Sequence, residues 1–274
     1  MNGTETGTAA GSHDSGILTG GAPAPRINTI SMDAPWRWLA AGWRDMWARP
    51  GLSLGYGFVF VVVSAGLTAL LAWAEMFSLL LAMAAGFMLV GPMLAVGLYE
   101  MSRRLEQGRT LSTGDVAIVS TASPVQLAFI GIMLALILLA WIRIATLLFA
   151  IFFGIQAIPP FEQFFPALIL EPRGLALLVT GTAVGGVLAL ITYAMAVVSV
   201  PMLVDRNVDA VTAVLTSIQA VRRNPVPMLL WAWLILLLTA FGIASLFVGL
   251  IVTFPLVGHA TWHAYRDVIA RAEG

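Results

Sequence analysis

Long runs of apolar residues, separated by short polar segments, fill the chain after its first 35 residues. A helix needs about 20 apolar residues to cross the hydrocarbon core of a bilayer. Four runs reach this length, at 52–73, 77–99, 125–153 and 174–203. They predict four membrane-spanning helices.

The last apolar run, 226–262, is too long for one span even if the helix tilts. Gly242 and Gly249 lie near its middle, so the pattern predicts two tightly connected spans, near 227–243 and 246–263. The predicted fold is therefore an all-α polytopic membrane protein with six transmembrane helices. The six helices are expected to form three helical hairpins, each preceded by a short interfacial helix.

The polar segments and prolines repeat three times along the chain. "WRWLAAGWRDMWARP", "STGDVAIVSTASP" and "DAVTAVLTSIQAVRRNP" each precede a predicted hairpin and end in a proline, which is tolerated in the first turn of a helix. We call the second span of each predicted hairpin its exit span. A second proline lies near the end of each exit span (Pro92, Pro201 and Pro255). The repetition predicts a membrane domain at 36–270 with three parallel pseudo-repeats, at about 36–108, 109–206 and 207–270.

Residues 1–35 are rich in Gly, Ala, Ser, Thr and Pro. Such a segment buries too little apolar surface to fold, so a disordered N-terminal tail is predicted. It lacks the basic start and apolar core of a signal peptide.

The arginines predict the orientation in the membrane. All 14 basic residues are Arg, and twelve of them fall before the first predicted span or after the second, fourth and sixth. The opposite loops contain only Arg173. Positive residues favour the cytoplasmic side, so both termini are expected in the cytoplasm of a bacterial inner (plasma) membrane.

Composition narrows the classes of function. Charged residues make up 10% of the chain and hydrophobic residues 59%, whereas soluble domains are about 25% charged. Zero formal net charge gives no reason to expect a nucleic-acid partner. The absence of Cys excludes thiolate metal sites and cysteine catalysis. No cofactor is expected.

The first polar segment is amphipathic. Trp36, Trp43 and Trp47 fall on one helical face together with Leu39, while Arg44 lies elsewhere. This pattern predicts a helix in the headgroup layer, with arginines near lipid phosphate. A docking surface for a partner protein is the alternative.

Arg143 lies near the middle of the third predicted span, where an arginine costs at least about 2.5–3.5 kcal/mol. One interpretation is a structural pair or outward snorkelling toward Glu162 or Glu171. The others are an intramembrane anion or lipid-headgroup site and a subunit contact.

His259 and His263 lie four residues apart on one face of the last predicted span. Two such imidazoles can bind a divalent metal when a third ligand is present, and Glu100 is the candidate. The alternative is an ordinary membrane boundary, because Trp262, Tyr265 and Arg266 are typical of that position.

Three charged patches follow the exit spans. They suggest a ring of ion pairs formed by Glu100 with Arg103 or Arg104, Arg206 with Asp205, and Arg266 near Asp267.

Several motifs, in order, resemble a bacterial family of integral membrane proteins known as domain of unknown function 2189. They are "GWRDMWARPGLSLGYG", "VGPMLAVGLYEMSRRLEQG", "WIRIATLLFA", "PMLVDRNVDAVTA" and "GHATWHAYRDV". The resemblance covers about residues 36–269. It implies an inner-membrane protein with several spans and implies no particular activity.

No nucleophile constellation, phosphate-binding loop or redox motif is present, so catalysis is not expected. Gly181, Gly185 and Gly186 predict close helix packing. The first functional interpretation is a non-catalytic accessory or assembly subunit of a membrane complex, such as a respiratory one, with the bilayer and other membrane subunits as partners. The alternative is a small transporter, channel or lipid-handling protein that uses Arg143 as an anion contact.

Overall fold

The structure is a computed structural model that describes residues 25–76, 78–112, 114, 119, 121–154 and 161–270. The side chains at 78 and 161–165 lie outside this description. The predicted all-α class is confirmed: within the described residues, the regular structure is helical, with one isolated β-bridge between Ile27 and Ile269.

The helices run in this order: α1 (Ala34–Ala48), α2 (Pro50–Trp73), α3 (Ser78–Leu94), α4 (Val96–Glu106), α5 (Pro124–Phe153), α6 (Phe161–Leu170), α7 (Pro172–Ala196), α8 (Ser199–Asp205), α9 (Ala210–Arg223), α10 (Pro225–Ala244) and α11 (Leu250–Val268).

Five helical stretches in the described part are long and apolar enough to cross a membrane. They are Pro50–Trp73, Leu79–Glu106, Pro124–Phe153, Pro172–Asp205 and Pro225–Ala244. The predicted sixth span is not among them. Its first residues form the turn between α10 and α11, where Leu246 and Phe247 have positive φ angles of 54° and 68°. The strongly apolar part of α11 ends at Gly258, before a polar second half.

Prolines mark the ends of these stretches, as the sequence predicts. Pro50, Pro124 and Pro225 each begin a long helix. Pro92 lies three residues before the break between α3 and α4, and Pro201 follows the break between α7 and α8. A proline removes one backbone hydrogen bond and clashes with the preceding turn, which explains the break before Pro201. Pro92 lies within α3, and the break at Ala95 comes after it.

Two of the three predicted interfacial segments are helices in the structure. The first is α1, and the third is α9, where the Asp209 side chain accepts a hydrogen bond from the Thr212 backbone N–H at 2.8 Å. In the second segment, residues 113, 115–118 and 120 lie outside the described residues, so the predicted helix cannot be followed there.

The core of the molecule consists of the three segments that end the exit helices. Every residue is buried in 95–102, 196–204 and 258–262. Helices α4, α8 and α11, which carry these segments, each contact the other two. Complete burial of a large apolar side chain contributes about 1.5–3 kcal/mol, so side chains such as Leu98, Met202 and Trp262 make this a strong core.

Two glycines explain how α11 packs. An added Cβ at Gly42 in α1 would lie 2.6 Å from the Ala260 nitrogen, and one at Gly57 in α2 would lie 2.5 Å from the Ile251 oxygen. Because neither glycine has a side chain, α1 and α2 approach the α11 backbone closely. Helix α2 therefore contacts α11 over a longer stretch than it contacts α3. The first two spans do not form the closely packed hairpin that the sequence suggests.

The two ends of the described chain meet. The Asn28 N–H donates to the Val268 carbonyl at 2.8 Å, and the Ala270 N–H donates to the Arg26 carbonyl at 2.9 Å. Of the predicted tail, residues 1–24 lie outside the described residues, whereas the chain from residue 25 onward is placed beside the end of α11.

Candidate functional site

A cavity of about 960 Å³ lies among α3, α4, α5, α7, α10 and α11. Its walls are mainly apolar and include aromatic rings from Phe87, Trp141 and Phe254. The Trp141 indole is held in place by a hydrogen bond from its N–H to the Ala82 carbonyl at 2.8 Å. Ligand pockets usually measure about 300–1,000 Å³, so this volume is large for a chain of this size.

Three glycines keep the cavity open. An added Cβ at Gly91, Gly181 or Gly186 would meet no neighbouring heavy atom within 4 Å, and all three glycines line the cavity. Gly185 differs, because its Cβ would lie 2.8 Å from the Trp141 ring. The predicted close packing is therefore confirmed at Gly185 only, while Gly181 and Gly186 leave space for a ligand.

A second candidate site surrounds His259, which is completely buried. Ser53 Oγ lies 3.0 Å from Nε2 of this histidine, and Ser102 Oγ lies 2.8 Å from Nδ1. Ser102 also donates to Asp45 Oδ2 at 2.7 Å, and His263 Nε2 lies 2.8 Å from the same oxygen. We call these five residues the histidine cluster; they connect α1, α2, α4 and α11.

The bonds assign the tautomer of His259. The Ser102 hydroxyl donates its only proton to Asp45, so the Ser102 oxygen must accept a hydrogen bond from the Nδ1–H of His259. The other ring nitrogen, Nε2, then accepts a hydrogen bond from the Ser53 hydroxyl. Burial alone would raise the pKa of Asp45, but hydrogen bonds from His263 and Ser102 outweigh it and lower that pKa.

The candidate metal ligands are not gathered into one site. Among the described residues, no group of three or more His, Asp or Glu side chains is placed to hold a metal ion. The buried Glu100 carboxylate instead binds Arg103 and Arg104, each at 2.7 Å, which confirms those predicted ion pairs. Both nitrogens of His259 already face serine hydroxyls.

Charged residues also join the three exit segments. Arg266 binds Glu106 at 2.9 Å and Asp205 at 3.2 Å, and Tyr265 donates to Asp205 at 2.6 Å. Arg206 lies 3.7 Å from Asp205, as predicted. Arg266 was expected near Asp267, which instead pairs with Arg37 at 3.5 Å. The difference arises because Arg266 faces α4 and α8, whereas Asp267 faces α1.

Helix α1 presents tryptophans on its outer face, as its sequence predicts. Trp36, Trp43 and Trp47 are about half exposed, and the rings of Trp43 and Trp47 contact each other at 5.7 Å between centroids. Arg44 is exposed as well. The opposite face of α1 is buried against α11 and α10, where the Trp38 and Trp231 rings meet edge to face at 5.7 Å.

Arg143 lies on the outer side of α5. Its side chain is exposed, and it does not line the cavity, although Trp141 and Ala145 on the same helix do. No ion pair of Arg143 with Glu171 occurs among the described residues, and the Glu162 side chain falls outside them.

Sequence reasoning missed the cavity and the serines of the histidine cluster. Ser53 and Ser102 are ordinary helix residues in the sequence, and nothing in their spacing connects them to His259. Gly91, Gly181 and Gly186 were visible signals, but glycine in an apolar helix indicates close packing as readily as open space.

No curated protein and no solved structure matches the chain. The matched part, residues 79–205, runs from the start of the second span to the end of the fourth and contributes most of the helices around the cavity. Residues 79–205 match the model of a family described as predicted integral membrane protein, DUF2189.

Proposed function

We propose that this multi-pass membrane protein is a lipid-handling protein that holds a hydrocarbon chain in its intramembrane cavity. The observation that carries the proposal is the apolar cavity of about 960 Å³, with three glycines that leave its space unfilled. Because lipid tails are already in an apolar medium, binding would gain little from the hydrophobic effect. The gain would come from the contacts that cavity walls make with a chain of matching shape.

The lining of the cavity is better suited to a lipid-handling protein than to an anion transporter. Its lining contains hydroxyl groups but no Arg, Asp or Glu. Arg143 lies on the outside of α5 and is not part of this site. For Arg143 we retain the snorkelling interpretation, with the guanidinium directed to lipid headgroups.

We further propose six membrane passages, with both termini in the cytoplasm. The paired ends of the chain must lie on the same side of the membrane, so the chain between them makes an even number of passages. Five candidate spans therefore require a further return, which α11 provides beside α10. The arginine distribution supports the cytoplasmic assignment. The mutual contacts of α4, α8 and α11 support the threefold pseudo-repeat.

The proposal is tested by the lipids that the protein retains. Purification in mild detergent followed by native mass spectrometry should show bound lipid on the wild-type protein. Gly181→Leu should reduce the bound fraction, because the new side chain would enter the cavity. Gly66→Leu is the matched control, since Gly66 also lies in a span with open space around its Cβ but outside the cavity lining. Equal lipid retention by both variants would refute the proposal.

The outer face of α1 favours a second candidate function, that of an accessory or assembly subunit. Trp36, Trp43 and Trp47 remain half exposed while the opposite face of α1 is buried, which suits a surface that docks another membrane subunit. In that case a double Trp43→Ala, Trp47→Ala variant loses a partner that co-purifies with the wild type. Trp73→Ala is the control, because Trp73 is exposed at the far end of α2. Co-purification of no stoichiometric partner with the wild type rules this candidate out.

A further inference from the structure

One of the four tyrosines differs from the others in its hydrogen bonding. Tyr56 donates to the Leu94 carbonyl at 2.8 Å, Tyr193 to the Met228 carbonyl at 2.7 Å, and Tyr265 to Asp205 at 2.6 Å. The Tyr99 hydroxyl makes no hydrogen bond to any described residue, although the side chain is only 2% exposed. A buried polar group without a partner is unfavourable and needs an explanation.

Tyr99 borders the cavity. It lines the cavity wall near the junction of α3 and α4, together with Ala95, Val197 and Gly258. Its hydroxyl is not among the polar atoms that are fully enclosed without a partner, a set that includes Thr192 Oγ1 and Trp231 Nε1. The phenol O–H therefore keeps some accessible surface, and Tyr99 as a residue forms part of the cavity wall.

We propose that the Tyr99 hydroxyl donates a hydrogen bond to a carbonyl oxygen of the lipid in the cavity. The ligand is then a hydrocarbon chain with a carbonyl at its polar end. This inference rests on the proposed lipid-handling function and adds the chemistry that selects the ligand. A phenol O–H donates readily to a carbonyl, and such a bond would give the buried Tyr99 hydroxyl a partner.

The position of Tyr99 suits this chemistry. Tyr99 lies in α4, between the apolar cavity and the buried Glu100 pair with Arg103 and Arg104. A lipid chain that enters the cavity beside Tyr99 would place its polar end toward Glu100, Arg103 and Arg104 and its tail among the apolar helices. The ester of a glycerolipid has such a carbonyl where its chain begins, and so does the ring of an isoprenoid quinone.

The test compares two phospholipids with the same headgroup and chains, one ester-linked and one ether-linked, bound to the full chain in detergent and measured by native mass spectrometry. The wild-type protein should prefer the ester by about three- to tenfold, the range expected for one hydrogen bond. Tyr99→Phe removes only the hydroxyl, so it should bind both lipids without preference. Tyr265→Phe should keep the wild-type preference, because Tyr265 lies outside the cavity and donates to Asp205 instead.

The possible results separate this inference from the proposed function. Wild-type protein that binds ester and ether equally, or a Tyr99→Phe variant that keeps the ester preference, overturns the role of Tyr99 while leaving the cavity as a lipid site. If the Gly181→Leu and Gly66→Leu variants bind the same total amount of lipid, the cavity is not a lipid site at all. An isoprenoid quinone provides a third probe, whose carbonyl belongs to a ring and not to an ester. If Tyr99→Phe weakens quinone binding by the same three- to tenfold, the hydroxyl binds a carbonyl of either kind.

Discussion

The contact between α2 and α11 predicts opposite effects for alanine at two glycines of the same helix. Gly55 and Gly57 both lie in α2, two residues apart. An added Cβ at Gly55 meets nothing within 4 Å, whereas one at Gly57 lies 2.5 Å from the Ile251 oxygen and 2.8 Å from the Leu250 oxygen. Only Gly57→Ala therefore forces the two helices apart.

The magnitude follows from these distances. Carbon–oxygen contacts between helices normally measure about 3.3–3.6 Å, so α2 and α11 would have to separate by about 1 Å. Overpacking of this kind costs about 1–3 kcal/mol. Alanine also gains about 0.5–1 kcal/mol over glycine in a helix, and this gain is the same for both variants. It cancels in the comparison, which leaves Gly57→Ala about 1–3 kcal/mol less stable than Gly55→Ala.

The assay is a titration of purified protein in mixed micelles with a denaturing detergent, followed by tryptophan fluorescence. The nine tryptophans provide the signal, and several of them, such as Trp231 and Trp262, are fully buried in the folded protein. If the two variants unfold within about 0.5 kcal/mol of each other, below the smallest effect expected from overpacking, α2 and α11 do not approach as described.

Three further predictions concern the histidine cluster and the membrane topology. Ser102→Ala should lower the free energy of unfolding by about 1–3 kcal/mol, because it leaves the buried Nδ1–H of His259 without its acceptor; Thr146→Val, which removes only a bond within α5, is the control, and equal stability of the two contradicts the cluster. The pKa of Asp45 lies below its usual 3.8 in the folded protein, so the stabilisation is present above that pH and is lost as the pH falls through the lowered pKa; thermal melts at decreasing pH should show an acid-side loss that Asp45→Asn lacks, and identical profiles contradict it. Because the chain has no cysteine, Val248→Cys provides a single label site in the turn between α10 and α11, and a membrane-impermeant maleimide should reach it only from the side opposite the termini; labelling from the terminal side contradicts six passages.

The apolar pattern was sufficient to predict the helices and most of their boundaries. Length and hydropathy identify the spans because a bilayer requires every backbone polar group to be bonded within its own helix. The prolines at Pro50, Pro124 and Pro225 identify the first turns for a similarly local reason. Features that depend on a few neighbouring residues can therefore be predicted from a single sequence.

The helix pairing and the site were not predictable in this way. The preference of α2 for α11 depends on Gly57 facing one backbone oxygen far along the chain, and apolar periodicity does not encode that match. The same holds for Ser53 and Ser102, which reach His259 only after three helices have packed. The start of the last helix was predicted four residues too early, because the run 246–263 is apolar on average while the helix begins only at Leu250.

Photocrosslinking in the native membrane tests the lipid-handling proposal most directly. Cells that express the protein are fed a fatty acid with a photoreactive group in its chain, and the intact membranes are illuminated before purification and peptide mapping. Labels should concentrate on residues that line the cavity, such as Met88, Leu177 and Ala189, and Gly181→Leu should deplete them there. Labels confined to the outward faces of the spans, at residues such as Leu136 and Val187, would contradict the proposal.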